Sequence, residues 1–94
     1  MARLSDEEIE ERLGDADGWS REEDAIVKEF DRKNFKGSVD FLNEITPIAE
    51  DMNHHPDVSI SWATVRLSIT NHAEGGLTDA DFELAGKVDE LASS

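Results

Sequence analysis

At 94 residues and 37% hydrophobic content, the chain is sized for one domain with one modest core. It has no cysteine, which removes disulfides, thiolate nucleophiles and cysteine–zinc sites, and no run approaches the roughly 18 apolar residues of a membrane span. Nine cations against 23 acids leave a formal charge of −14, a surface that repels phosphates and disfavours direct binding of nucleic acid.

High net charge is also the mark of disordered chains, but those lack regularly spaced apolar positions. Here the spacing is regular, so the expectation is a folded, acid-coated protein of halophilic-type composition, whose self-repulsion is relieved by screening in salt. The start, Met1-Ala2-Arg3-Leu4-Ser5-Asp6, turns acidic at once and has no apolar signal core, which predicts a cytoplasmic protein.

The first predicted element is a helix. Ser5 caps it, Glu8 completes a capping box, Leu4 and Ile9 form the flanking staple, Ile9 and Leu13 face inward, and Gly14 offers a stop. Asp15-Ala16-Asp17-Gly18 is turn chemistry leading to Trp19 in a short extended piece. From Ala25 to Phe30, Ile26, Lys28 and Phe30 alternate with Val27 and Glu29, the period of a strand.

A longer helix starts at the cap Asn34. Phe35, Val39, Leu42, Ile45, Ala49 and Met52 form one stripe, read as its core face, and Pro47 predicts a kink or early break. Asn53-His54-His55-Pro56-Asp57 turns the chain. Beyond it, Val58, Ile60 and Trp62 share one parity while Val65, Leu67 and Ile69 share the other, so either a bulge or a junction of two strands lies near Ala63-Thr64. After the loop Glu74-Gly75-Gly76, Thr78 caps the last helix, Leu77 and Phe82 staple it, and Leu84, Ala85, Val88 and Leu91 face the core. Neither a repeat nor a linker interrupts residues 1–94, which read as a single α+β domain with an antiparallel sheet covered by helices.

The three histidines concentrate the chemistry: His54 and His55 precede Pro56, and His72 follows at the end of the long strand region. Imidazole takes and gives protons near neutral pH, so a turn and a strand end that converge would make a proton-handling site. Taken singly, each has a plainer reading: His54 as a cation at a helix C-terminus, His55 as solvated, His72 as a loop residue. The three together favour function. A zinc site is the rival, but a vicinal pair chelates poorly and no HxH or HxxxH spacing is present, so no metal is expected. Glu50, four residues before His54, is placed to orient that imidazole, or is one more solvated carboxylate. Asp81 reads first as a helix-cap residue. Trp19 and Trp62 are candidates for an aromatic wall, or for the core. Gly75-Gly76 lacks the Lys and Ser/Thr of a phosphate loop.

At these residues the chain resembles the pterin-4a-carbinolamine dehydratase family. The resemblance is carried by Ala49-Glu50-Asp51-Met52-Asn53-His54-His55-Pro56-Asp57, by Trp62, Val65, Leu67, Ile69 and His72, and by Gly76-Leu77-Thr78 with Asp81. Gly18-Trp19, Phe30, Phe35, Phe41 and Leu42 also fall at that family's apolar positions. Asn71 stands where a Thr often precedes the last histidine, Val58-Ser59 replaces an aromatic pair, and Pro47 intrudes in the helix. The resemblance implies a four-stranded antiparallel sheet with three helices packed on one face. It implies a lyase that dehydrates a 4a-hydroxytetrahydropterin to the quinonoid dihydropterin, recycling the pterin cofactor of aromatic amino acid hydroxylases, with no cofactor of its own. Catalysis would fall to His54, His55 and His72, with His54 and His72 as the acid/base pair and His55 positioning substrate. Glu50, Asp81 and Trp19 would support substrate or the histidines. Family members are dimers or tetramers, so a homo-oligomer is implied. The rival reading is a non-catalytic pterin-binding or protein-interaction module on the same fold.

Overall fold

A computed structural model describes residues 3–93; Met1 and Ala2, part of the acidic start noted above, lie outside the described residues. Helix α1 (Asp6–Gly14) begins as its sequence predicts: the Ser5 N–H donates to Glu8 Oε1 at 2.9 Å and the Glu8 N–H to Ser5 Oγ at 3.2 Å. A tight hairpin follows, β1 (Ser20–Glu22) and β2 (Ala25–Asp31), turning through Glu23 at φ 55°.

Helix α2 (Phe35–Met52) is capped by Asn34, whose side chain accepts from the Gly37 N–H at 2.7 Å. A Cβ on Gly37 would stand 2.1 Å from the Arg32 carbonyl oxygen, so the close passage of β2 into α2 requires glycine. The helix runs through Pro47 without the expected break. Asn43, whose carbonyl loses its i+4 donor to the proline, is exposed together with Pro47, so water can take the place of the missing N–H.

The stripe assigned to the core is corrected. Ser38, Phe41, Ile45 and Ala49 are the buried face of α2, whereas Phe35 is 57% exposed and Val39 and Leu42 are only partly buried. Two apolar stripes share the lower half of this helix, and what selects between them is a buried serine: Ser38 Oγ donates to the Trp62 carbonyl at 2.7 Å. Pattern alone does not rank a serine above a phenylalanine as a core position.

Strands β3 (Asp57–Ser61) and β4 (Thr64–Ile69) form a second hairpin, so the change of parity is a junction of two strands rather than a bulge. The sheet is antiparallel throughout in the order β1-β2-β4-β3. Ile26, Phe30, Val65, Leu67 and Ile69 fill its helix-facing side, with Val58 and Ile60 packed at the edge. Helix α3 (Asp79–Ala92) lays Leu84, Ala85 and Val88 into the same core. The three helices cover one face, as expected, and Glu29, Ser59, Arg66 and Ser68 lie on the other.

Candidate active site

The site is built by the way α2 ends. Asn53 takes the left-handed conformation (φ 50°, ψ 43°); its N–H reaches the Glu50 carbonyl at 3.1 Å and the His54 N–H reaches the Ala49 carbonyl at 3.0 Å. This is the double closure of a Schellman ending, with asparagine in the place glycine usually holds. The chain therefore turns before His54, and Pro56 leads it into β3. Asp57 pairs with Ser68, so the segment before β3 and the segment after β4 leave the sheet side by side. His54-His55 and Thr70-Asn71-His72 thus share one end of the sheet.

His54 is nearly enclosed, its side chain 13% exposed, and its Nε2 lies 2.5 Å from Oδ1 of Asp81, which is fully buried. Oδ2 of Asp81 accepts from the Thr78 N–H at 2.7 Å and from the Thr78 hydroxyl at 3.3 Å. Asp81 is thus a helix-cap residue and the partner of a histidine at once. With donors occupying Oδ2, Oδ1 is the acceptor for His54, which assigns the proton to Nε2 and leaves Nδ1 for exchange.

Glu50 pairs differently from its i+4 spacing. Its Oε2 lies 2.5 Å from His55 Nε2, in an open setting where both side chains are more than half exposed. Helical spacing stops applying at the left-handed Asn53, which swings His55 rather than His54 over the last turn. His72 is exposed on the loop beyond β4; its carbonyl accepts from the Gly75 N–H at 3.3 Å, and an Asn71–Gly76 bridge closes the loop. With Asp57, Ser68, Thr70, Asn71 and Asp24 it lines a groove of about 370 Å³, and Thr70 Oγ1 donates to the Asp24 carbonyl at its rim.

Trp19 does not join this group. It is buried in the core, edge-on to Phe30, and its Nε1 donates to Asp89 at 2.9 Å. Asp89 is eight residues beyond Asp81, about 12 Å along the helix. Lys28 Nζ, 2.8 Å from the same carboxylate, completes a lock at that opposite end. Trp62 sits at the tip of the β3–β4 hairpin, 70% exposed, the full length of the strands from the histidines. Neither tryptophan walls the groove within this chain. Local sequence does not mark Thr70, Asp57 or the Thr78 hydroxyl; the Thr-x-x-Asp spacing of 78–81 is a signal for a helix cap and carries no sign of the histidine.

A buried carboxylate–histidine pair at the same sheet end as a second, exposed histidine is an arrangement chemically able to exchange protons. Comparison makes this particular. A family model described as Pterin 4 alpha carbinolamine dehydratase matches residues 2–91, and the chain belongs to that family. Relatives named for pterin-4-alpha-carbinolamine dehydratase include one from Sulfolobus acidocaldarius, 45% identical over 95% of this chain and 98% of its own length. Another, from Sulfurisphaera tokodaii, is 48% identical over 97% and 98%. Among solved structures, a transcriptional coactivator/pterin dehydratase from Brucella melitensis matches with TM-score 0.91 and 30% identity, covering 96% of this chain and 98% of that one. A pterin dehydratase-like protein identified as a RuBisCO assembly factor in the alpha-carboxysome shares the fold at TM-score 0.66. Family and relatives together support dehydration of a pterin carbinolamine as the activity.

Proposed function

We propose that the protein eliminates water from a 4a-hydroxytetrahydropterin by general acid/base catalysis with His54 and His72, His55 holding the substrate. One histidine takes the N5 proton while the other protonates the departing hydroxyl; the C4a–O bond breaks, an N5=C4a double bond forms, and water and the quinonoid dihydropterin leave. Each step needs only a proton acceptor or donor, and two imidazoles in complementary protonation states supply both, typically worth about 10²–10⁴-fold in rate. The observation that carries the reading is the Asp81–His54 contact, a buried carboxylate at 2.5 Å that orients one imidazole at the same sheet end as His72. Glu50 supports His55 from solvent. Recycling of a hydroxylase cofactor in the cytoplasm is part of this reading.

The test is stopped-flow ultraviolet spectroscopy on freshly generated carbinolamine. Acceleration over the spontaneous rate, unchanged by chelator, is expected. A spontaneous rate in the presence of protein supports the rival, a module that holds pterin without turning it over, and chelator inhibition reversed by zinc revives a metal site.

A second part of the proposal concerns assembly. Phe35, Val39 and Leu42 form an outward stripe on α2 beside the exposed Trp62, and we read this face as the contact between copies in a homo-oligomer. Charge on the helix supports self-pairing. Arg32 and Lys33 lie at its N-terminal end, Lys36 pairs with Asp40 at 2.8 Å within the chain, and Glu44 follows, so cations precede acids, the reverse of what the helix dipole favours. An antiparallel second copy would set each cationic end beside the other's acids. Sedimentation showing a concentration-dependent dimer or tetramer, lost in Val39→Asp, is expected; a monomer at all concentrations overturns it.

A further inference from the structure

We infer that Thr78 is a positioning residue for proton transfer, acting on His54 through Asp81; the inference rests on His54 handling a proton as proposed above. The two capping boxes of this chain show what is unusual. At α1 the box is exposed, and the Ser5 hydroxyl accepts from the Glu8 N–H. At α3 both Thr78 and Asp81 are fully buried, and the Thr78 hydroxyl, besides taking its place in the capping box, also donates to Asp81 Oδ2 at 3.3 Å. The backbone N–H of Thr78 already satisfies that oxygen at 2.7 Å. Capping alone needs no second donor there.

The second donor has a use at the far oxygen. Among the described residues no lysine or arginine pairs with Asp81; its charged partner is His54. Without the hydroxyl the carboxylate would keep only the Thr78 N–H on Oδ2 and His54 on Oδ1, concentrating its charge on those two donors and holding its rotation about Cβ–Cγ less firmly. Two donors on Oδ2 lock that rotation, aim Oδ1 at Nε2, and draw off part of the negative charge that would otherwise grip the Nε2 proton. The imidazole is then held in one tautomer and one orientation, with Nδ1 left to exchange a proton. Thr78 touches no substrate; its effect reaches the reaction only by way of this chain of bonds.

Substitution separates the roles. Thr78→Val keeps the shape and the backbone N–H bond to Asp81 but removes the hydroxyl, whereas Thr78→Ser restores it. The expected result is that Thr78→Val lowers kcat about 3- to 10-fold, the scale of one hydrogen bond to a charged group acting at one remove, with KM within about 2-fold. The downfield proton resonance of His54 Nε2–H, assigned by its loss in His54→Ala, should shift or broaden in Thr78→Val and return in Thr78→Ser. Should Thr78→Val fail to fold, Thr78→Ala is read in its place by the same measures. Unchanged kcat and resonance, or equal effects of Val and Ser, overturn the inference. The resonance needs no turnover. An inactive wild type whose resonance still responds to Thr78→Val would therefore condemn the dehydratase reading and spare the hydrogen-bond chain.

Discussion

Two histidine–carboxylate contacts in this molecule have the same length and opposite surroundings. His54 meets Asp81 at 2.5 Å where one side chain is 13% exposed and the other fully buried; His55 meets Glu50 at 2.5 Å where the side chains are 55% and 67% exposed. Length does not rank them. Burial does, because water screens the outer pair and competes for its hydrogen bonds, while the inner pair is largely withdrawn from that competition. The inner contact sets a tautomer; the outer one steers an exposed side chain.

Unequal losses are the sharpest way to expose that difference. Asp81→Asn should lower kcat by about 10²-fold or more, by turning an acceptor toward Nε2 into a group that can present a donor, while Glu50→Gln should cost less than about 5-fold. Stopped-flow rates on both variants settle it, and equal losses would erase the distinction between the pairs. Stability should divide the same way: Asp81→Ala strands a buried imidazole N–H and should cost about 1–3 kcal/mol in denaturant unfolding, against less than about 1 kcal/mol for Glu50→Ala.

A smaller effect is expected at the other end of the hairpin. Trp62 is exposed with φ 51°, a conformation bulky side chains rarely adopt, and its carbonyl is pinned by Ser38. Strain of this kind costs of order 1 kcal/mol. Trp62→Gly should therefore stabilise the protomer by up to about 1 kcal/mol while weakening self-association, leaving the histidine end untouched. Loss of association without gain in protomer stability would remove the argument from strain.

Salt offers a broader comparison. All but three of the acids (Glu74, Asp81 and Asp89) lie on the exposed surface. Molar salt should raise the unfolding midpoint by screening them, and a midpoint that falls would remove the halophilic reading of the composition. Smallest is the effect of acid on α1. The Ser5 backbone and hydroxyl hold the exposed Glu8 carboxyl below its usual value. A lowered carboxylate stabilises above its unfolded pKa and ceases to do so as pH falls through the folded one. The amides of the first turn should therefore lose exchange protection in acid before those of α3.

Much of this was legible in the chain. The capping box at Ser5–Glu8, the cap at Asn34, the strand from Ala25 and the last helix behind Thr78 rest on local chemistry, and local chemistry is what a single sequence records. That the His54-His55 and His72 segments leave the same end of the sheet was legible too, since turn, proline and strand end lie in sequence order. What escaped depends on neighbours distant along the chain. Ser38 outranks Phe35 as a core position because a hairpin tip 24 residues away offers it a carbonyl. Glu50 pairs with His55 because one left-handed asparagine rotates everything after it. Asp81 reaches across 27 residues to His54, and nothing in the spacing of a helix cap announces that a buried imidazole waits on its other oxygen.

The reading stands on two imidazoles exchanging hydrogen ions with one bicyclic carbinolamine. Single-turnover dehydration by His54→Ala and His72→Ala, with circular dichroism confirming that both chains fold, tests it most directly. The account predicts that each rate falls by at least about 10²-fold toward the spontaneous value. Wild-type turnover in either variant would contradict it.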